Sequence, residues 1–375
     1  MIVRLSKYKK VIRFLPILLL ILILGFLGSI NSRSEVYIDL STDRMRFKAG
    51  VQSPDQPSIE LMTGVLLDSL QLFNCSLELF AQDVQDSHGR SLKGASPFVE
   101  ISRTTGKERS QIILSKIESL HLKSLFIPQN ATVRLSKDDD YITVTIEVDD
   151  FTPSASRSLY GTIGVGGRFF LSGRNILLGG AGALEDYELI TITTKERRHN
   201  IGFYANDEKM VLQLCIPASR MENSVPLIER LSADSISFAT IEESRRRDRV
   251  ISGIKGGKIQ IAGIDFFGRL FLIKEVMLEQ TDFLRIPAVE EYCIDHVEYD
   301  KEGLEVSLWN DSANELEKGK RSQLARSVFP SILEFVVAEP SKKTVWVIFV
   351  FLFTQGAVIY GAYRKTSGGE TSCVK

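Results

Sequence analysis

The chain has 375 residues, 46 Lys+Arg against 47 Asp+Glu, and a formal net charge of −1. That balance excludes a nucleic-acid binder working through a broadly basic face. Four cysteines, Cys75, Cys215, Cys293 and Cys373, exclude a disulfide-stapled scaffold, so stability must come from buried apolar surface.

Residues 1–10 read as a cytoplasmic tail, and residues 11–30 (VIRFLPILLLILILGFLGSI) as a first transmembrane helix. Twenty residues at 1.5 Å each cross roughly 30 Å of hydrocarbon. Arg4, Lys7, Lys9, Lys10 and Arg13 crowd its leading end with no acid among them, which places the N-terminus in the cytoplasm. A cleaved signal peptide is the alternative, and the basic start suits it. The apolar run is long for that purpose, and the cleavage site it offers around Asn31 is poor, so an uncleaved anchor is expected.

A second apolar segment, residues 344–363 (TVWVIFVFLFTQGAVIYGAY), reads as a second transmembrane helix. Its flanking charges balance, with Lys342 and Lys343 before it and Arg364 and Lys365 after it. Two spans return the chain, so residues 364–375 form a cytoplasmic tail. Everything between the spans then faces the periplasm or the cell exterior, held on the plasma (inner) membrane. Gly25 with Ser29, and Ala357 with Gly361, are small residues four apart and are the candidate helix-packing positions. In an antiparallel pair they sit at different depths, which suits other partners or the same helix in a second copy. Neither span carries a central charge, against a proton relay.

The extracytoplasmic part is mainly β, an antiparallel sandwich or roll of one or two modules, residues 31–150 and 151–320. Period-2 alternation marks strands at 36–40, 45–48, 70–73, 76–80, 131–135 and 141–148, the last pair joined by a polar turn at 137–140. Further strands are expected at 187–193, 201–204, 211–216, 235–241, 258–262, 269–273 and 304–309. Helical pattern is limited to residues 224–232, with Ser224 ahead of Pro226, and to 321–337 of the juxtamembrane segment 321–343, which reads either as an amphipathic surface helix broken or kinked at Pro330 or as a simple connector. The break at 149–156 marks the module boundary, and an echo between 167–171 and 268–272 hints at duplication.

Candidate chemistry is thin. The glycines of 161–167 and 179–182 fit no phosphate-binding pattern and read as turns and bulges. Glu291, Cys293, Asp295, His296, Glu298 and Asp300 are the densest group of ligand types; on a regular edge strand they split between two faces, which does not assemble a zinc set. Asp138, Asp139 and Asp140 with Asp149 and Asp150 read as a polar turn rather than a calcium site. Sequons occur at Asn74, Asn130 and Asn310. No catalytic residue, metal ligand or cofactor is expected. The expected function is a non-catalytic, two-pass membrane protein that scaffolds or binds other envelope components. The alternatives are a lipid or amphiphile transport subunit with an apolar groove, and an ectoenzyme. Expected partners are the lipid bilayer, a protein partner or a second copy, and a lipid ligand; nucleic acid is not among them.

Overall fold

The computed structural model describes residues 34–330 apart from 51–57, 93–97, 104–109, 149–158, 205–209, 219–224, 243–248, 265–268, 281, 289, 314 and 321–324, together with 334 and 338. The two apolar segments, the proposed module boundary and the four helix-packing residues lie outside the described residues. Among those described, no helix is long and apolar enough to cross a membrane.

The described chain is mainly β, and every paired strand is antiparallel. In chain order the strands are β1 (Ser34–Thr42), β2 (Arg44–Ala49), β3 (Ser58–Leu66), β4 (Ser69–Phe73), β5 (Ser76–Phe80), β6 (Asp83–Gln85), β7 (Phe98–Arg103), β8 (Gln111–Lys116) and β9 (Leu120–Pro128). There follow β10 (Thr132–Asp138), β11 (Tyr141–Val148), β12 (Tyr160–Arg174), β13 (Ile176–Leu178), β14 (Gly182–Ala183), β15 (Ile190–Tyr204), β16 (Met210–Pro217) and β17 (Val225–Ser237). The last are β18 (Ala239–Glu242), β19 (Arg249–Ser252), β20 (Ile254–Ile264), β21 (Leu270–Glu279), β22 (Asp282–Arg285), β23 (Tyr292–Tyr299), β24 (Leu304–Ala313), β25 (Glu317–Lys320) and β26 (Arg326–Ser327).

One ladder runs through most of them. From its free edge it reads β21, β20, β1, β24, β23, β17, β2, β10, β11, β16, β4, β8 and β12. Along one side β12 meets β9 and then β8, and along the other it meets β15 throughout. Strands from before and after residue 150 therefore interleave: β1 sits between β20 and β24, and β16 between β11 and β4.

Alternation is the reason these segments are strands. In β11, Ile142, Val144, Ile146 and Val148 are buried while their neighbours face outward, the period expected of a pleated strand with one wet face. The β10–β11 turn is two residues, Asp139 and Asp140, because Asp138 pairs with Tyr141. The interior is one continuous apolar cluster with large rings in it; Phe47, Phe169, Phe203, Phe238, Tyr292 and Tyr299 are all buried.

Four expectations change here. Residues 225–232 are strand, not helix, within β17. A bulge between Pro226 and Ile228, and a left-handed Arg230 (φ 49°), bring Leu227, Ile228 and Leu231 into the core. Buried residues one and four apart imitate a helical stripe, which is how a bulged strand passes for a helix. Gly161, Gly164, Gly166 and Gly167 are interior to the 15-residue β12, with a bulge at Gly166–Arg168, rather than turns between strands. The strands expected at 187–193 and 201–204 are one, β15, while Tyr187 turns back ahead of it at φ 61°. In the juxtamembrane stretch Arg326–Ser327 is strand, and Val328 and Phe329 are buried.

Candidate functional site

Of the residues singled out by sequence, Gly25, Ser29, Ala357 and Gly361 lie outside the described residues, as do Asp149 and Asp150. Asp138, Asp139 and Asp140 are where the turn was expected. The ligand-rich segment is β23, and it is not an edge: it pairs with β17 on one side and β24 on the other. A register shift between Ile294 and His296 also breaks the regular alternation. Tyr292, Ile294, Val297 and Tyr299 point inward, leaving Cys293, Asp295, His296 and Glu298 on the outward side. His296 Nδ1 lies 3.2 Å from Asp295 Oδ2. Even so, no group of three His, Cys, Asp or Glu side chains that would hold a metal ion occurs among the described residues. Burial pushes the Cys293 thiol upward, which leaves it a poor nucleophile.

The cysteines are free thiols at Cys75, Cys215 and Cys293. The sequons differ in kind. Asn130 is exposed in a left-handed turn (φ 64°). Asn310 is buried, its amide donating to the Glu291 carbonyl at 2.7 Å and its oxygen accepting from the Ser312 N–H. Asn74, also left-handed (φ 59°), accepts from the Ser110 N–H.

The feature that no motif announced is the end of the sheet where the described chain begins. Ser34 pairs with Ala313, and Glu35 with Ala262. Three residues past Ala313, the Leu316 carbonyl accepts the N–H of Val328 at 2.8 Å, so the last described stretch returns close to the first. The described chain thus begins beside Ala313, and the stretch around Val328 is tied three residues beyond that partner.

At that same end the β20–β21 hairpin is apolar on its outward face. Ile264 pairs with Leu270 and Ala262 with Leu272, and Ile264, Leu270 and Leu272 are 55%, 56% and 54% exposed. Ala262 beneath them is buried. The sequence echo with 167–171 does not carry over, since Phe169 and Leu171 are core while Leu270 and Leu272 are exposed. A signal was present in the sequence: Leu270, Phe271, Leu272 and Ile273 are consecutive apolar residues, and β21 pairs only with β20 among the described strands. A strand apolar on both faces at a sheet edge has one face that the core cannot cover.

Along the same outward surface the row Cys293–Trp309–Tyr37–Gln260–Glu275 crosses five strands in register. The Tyr37 hydroxyl donates to Glu35 at 2.8 Å, and that bond raises the Tyr37 phenol above its usual range. One step deeper, Ser307 donates to Asp39, and Lys258 lies 3.7 Å from the same carboxylate.

No protein-family model matches the chain, and no curated protein matches it. Among solved structures, a heptameric SAP-like pentraxin from Limulus polyphemus aligns at 10% identity over 45% of this chain and 76% of its own, with a TM-score of 0.09.

Proposed function

We propose that the chain is a two-pass membrane protein, both termini cytoplasmic, whose β body stands on the far side of the plasma (inner) membrane and scaffolds or binds other envelope components without catalysis. Its body is an antiparallel sandwich or roll. The observation that carries the reading is the shared end of entry and exit: Ser34 beside Ala313, and Val328 bonded to Leu316. A body tethered to one bilayer through both ends is held with least slack when they lie near each other. On this reading the three residues 31–33 between the apolar run and Ser34 reach at most about 10 Å, which turns the entry end toward the membrane.

The alternative, an amphiphile-transport subunit, needs an apolar groove inside the body. The rings of Phe47, Phe169, Phe203, Phe238, Tyr292 and Tyr299 fill the interior instead, which favours the scaffold. Affinity purification of the full-length protein in mild detergent tests the reading. A stoichiometric protein partner or a stable self-association is expected; an isolated monomer carrying bound lipid in its body would favour transport.

A further inference from the structure

We propose that the outward end of the β20–β21 hairpin, presenting Ile264, Leu270 and Leu272, is a membrane contact that lies in the interfacial layer of the bilayer. The inference rests on the two-pass reading and deepens it, because it assigns the body a face that touches lipid.

Three observations meet here. First, the residues form a set rather than a scatter. The pairs Ile264–Leu270 and Ala262–Leu272 place three exposed side chains on one face, each more than half exposed. Leu66 and Leu189, by contrast, are exposed on strands or turns remote from the hairpin in the ladder, and single exposed apolar residues are ordinary. Second, the face is in the right place. Because Glu35 pairs with Ala262, Ile264 lies one register step beyond Ser34 along the ladder, at the end where the described chain begins. Neighbouring strands are about 4.8 Å apart, and three residues reach at most about 10 Å, so the hairpin end and the chain's entry reach the bilayer together. Third, the surface becomes mixed away from this end: Gln260 and Glu275 come next, then Lys258 and Asp39 beside an exposed Met277, while Glu35, the partner of Ala262, is turned back to accept from the Tyr37 hydroxyl. Arg269, exposed and directly before Leu270, sets a cation at the height of the headgroups.

The edge of β21 also suits an added strand from another protein. That occupant has no need of apolar side chains standing off the sheet face, and nothing ties it to the end where the chain enters. Lipid explains both.

The test uses full-length protein in nanodiscs containing a phospholipid with a photoactivatable diazirine high on its acyl chain, followed by mass-spectrometric mapping of lipid adducts. Adducts are expected on residues 11–30 and 344–363, and also on Ile264, Leu270 and Leu272 of the hairpin, with none on the β10–β11 turn. Substituting Ile264→Ser, Leu270→Ser and Leu272→Ser together should lower the hairpin adducts at least tenfold and leave those in the two segments and the melting temperature unchanged. Adducts confined to the two segments overturn the contact while sparing the topology, and give the edge to a protein strand. Absence of adducts from the segments as well overturns both.

Discussion

The ring of Phe203 lies across the β12–β15 ladder from its register partner Gly161, in the volume a side chain there would fill. A β-carbon on Gly161 would overlap the ring and crowd the Ser124 carbonyl of β9. The neighbouring Gly202, one position along β15, has open space where its β-carbon would be. Gly161→Ala should therefore destabilise by about 1–3 kcal/mol, the usual cost of overpacking, while Gly202→Ala should be neutral or stabilising by about 0.5 kcal/mol. Denaturant midpoints of the two variants check this, and equal effects would remove Phe203 as the reason for the glycine.

Asp282 is wholly buried at the start of β22, its Oδ2 accepting the Glu279 N–H at 2.7 Å and pairing with Lys318 Nζ of β25 at 2.8 Å. Lys318→Met leaves that carboxylate uncompensated and should cost about 3–5 kcal/mol. Asp282→Asn in the same chain should recover a large part, because an amide has no charge to strand. A double-mutant cycle by chemical denaturation measures the coupling, and strict additivity would show that the pair contributes nothing beyond its parts.

Cys75 is buried and its thiol is pushed up to about 12, while burial also lifts the Tyr299 phenol to about 12 and the Tyr292 phenol further still. At pH 8 iodoacetamide should therefore spare Cys75 until the fold is opened by denaturant. The same groups fix the alkaline limit. The unfolded chain loses the Cys75 proton near pH 9 and the tyrosine protons near 10, whereas the folded chain keeps them to about 12. Between those values the folded state binds more protons, so stability falls as pH rises, by about 1.4 kcal/mol per unit for a fully buried group such as Cys75. Melting temperatures should hold below pH 9 and drop above it; a Cys75→Ala variant should shift the onset upward.

Much of the sheet was legible because its period is plain. Ser76–Phe80 and Tyr141–Val148 are strands over the residues their alternation marks, and the Asp139–Asp140 turn follows from the run of acids just ahead of Tyr141. What hid the rest was irregular backbone. The Pro226–Ile228 bulge disguised β17 as a helix, and the Ile294–His296 bulge moved His296 to the outward side with Cys293, which regular alternation denied. The glycines of β12 looked like punctuation because a strand interior seldom holds so many; Gly161 at least is required by the ring of Phe203. The hairpin end at Ile264 and Leu270 was legible only as composition. Which end of the body it occupies depends on pairing between residues more than 200 apart, Glu35 with Ala262, and no local pattern encodes that.

The contrast between the sequons at Asn130 and Asn310 leads to a topological prediction. Its side chain is exposed in a turn that tolerates a bulky modification, whereas Asn310 is buried and its amide is committed to the Glu291 carbonyl. If residues 31–343 cross the membrane, full-length protein made in a eukaryotic secretory pathway should gain an N-linked glycan at Asn130, seen as a glycosidase-sensitive shift on a gel. Asn130→Gln should remove that shift at a cost of about 1 kcal/mol, because the left-handed turn suits Asn better than Gln while no buried side-chain contact is lost. Asn310→Gln should instead destabilise by about 1–3 kcal/mol, since the longer amide cannot hold both the Glu291 carbonyl and the Ser312 N–H in the same space. A chain that stays unglycosylated at Asn130, with the enzyme shown to act on a control sequon fused to its own N-terminal tail, would place the β body in the cytoplasm and reverse the orientation argued from Arg4, Lys7, Lys9 and Lys10.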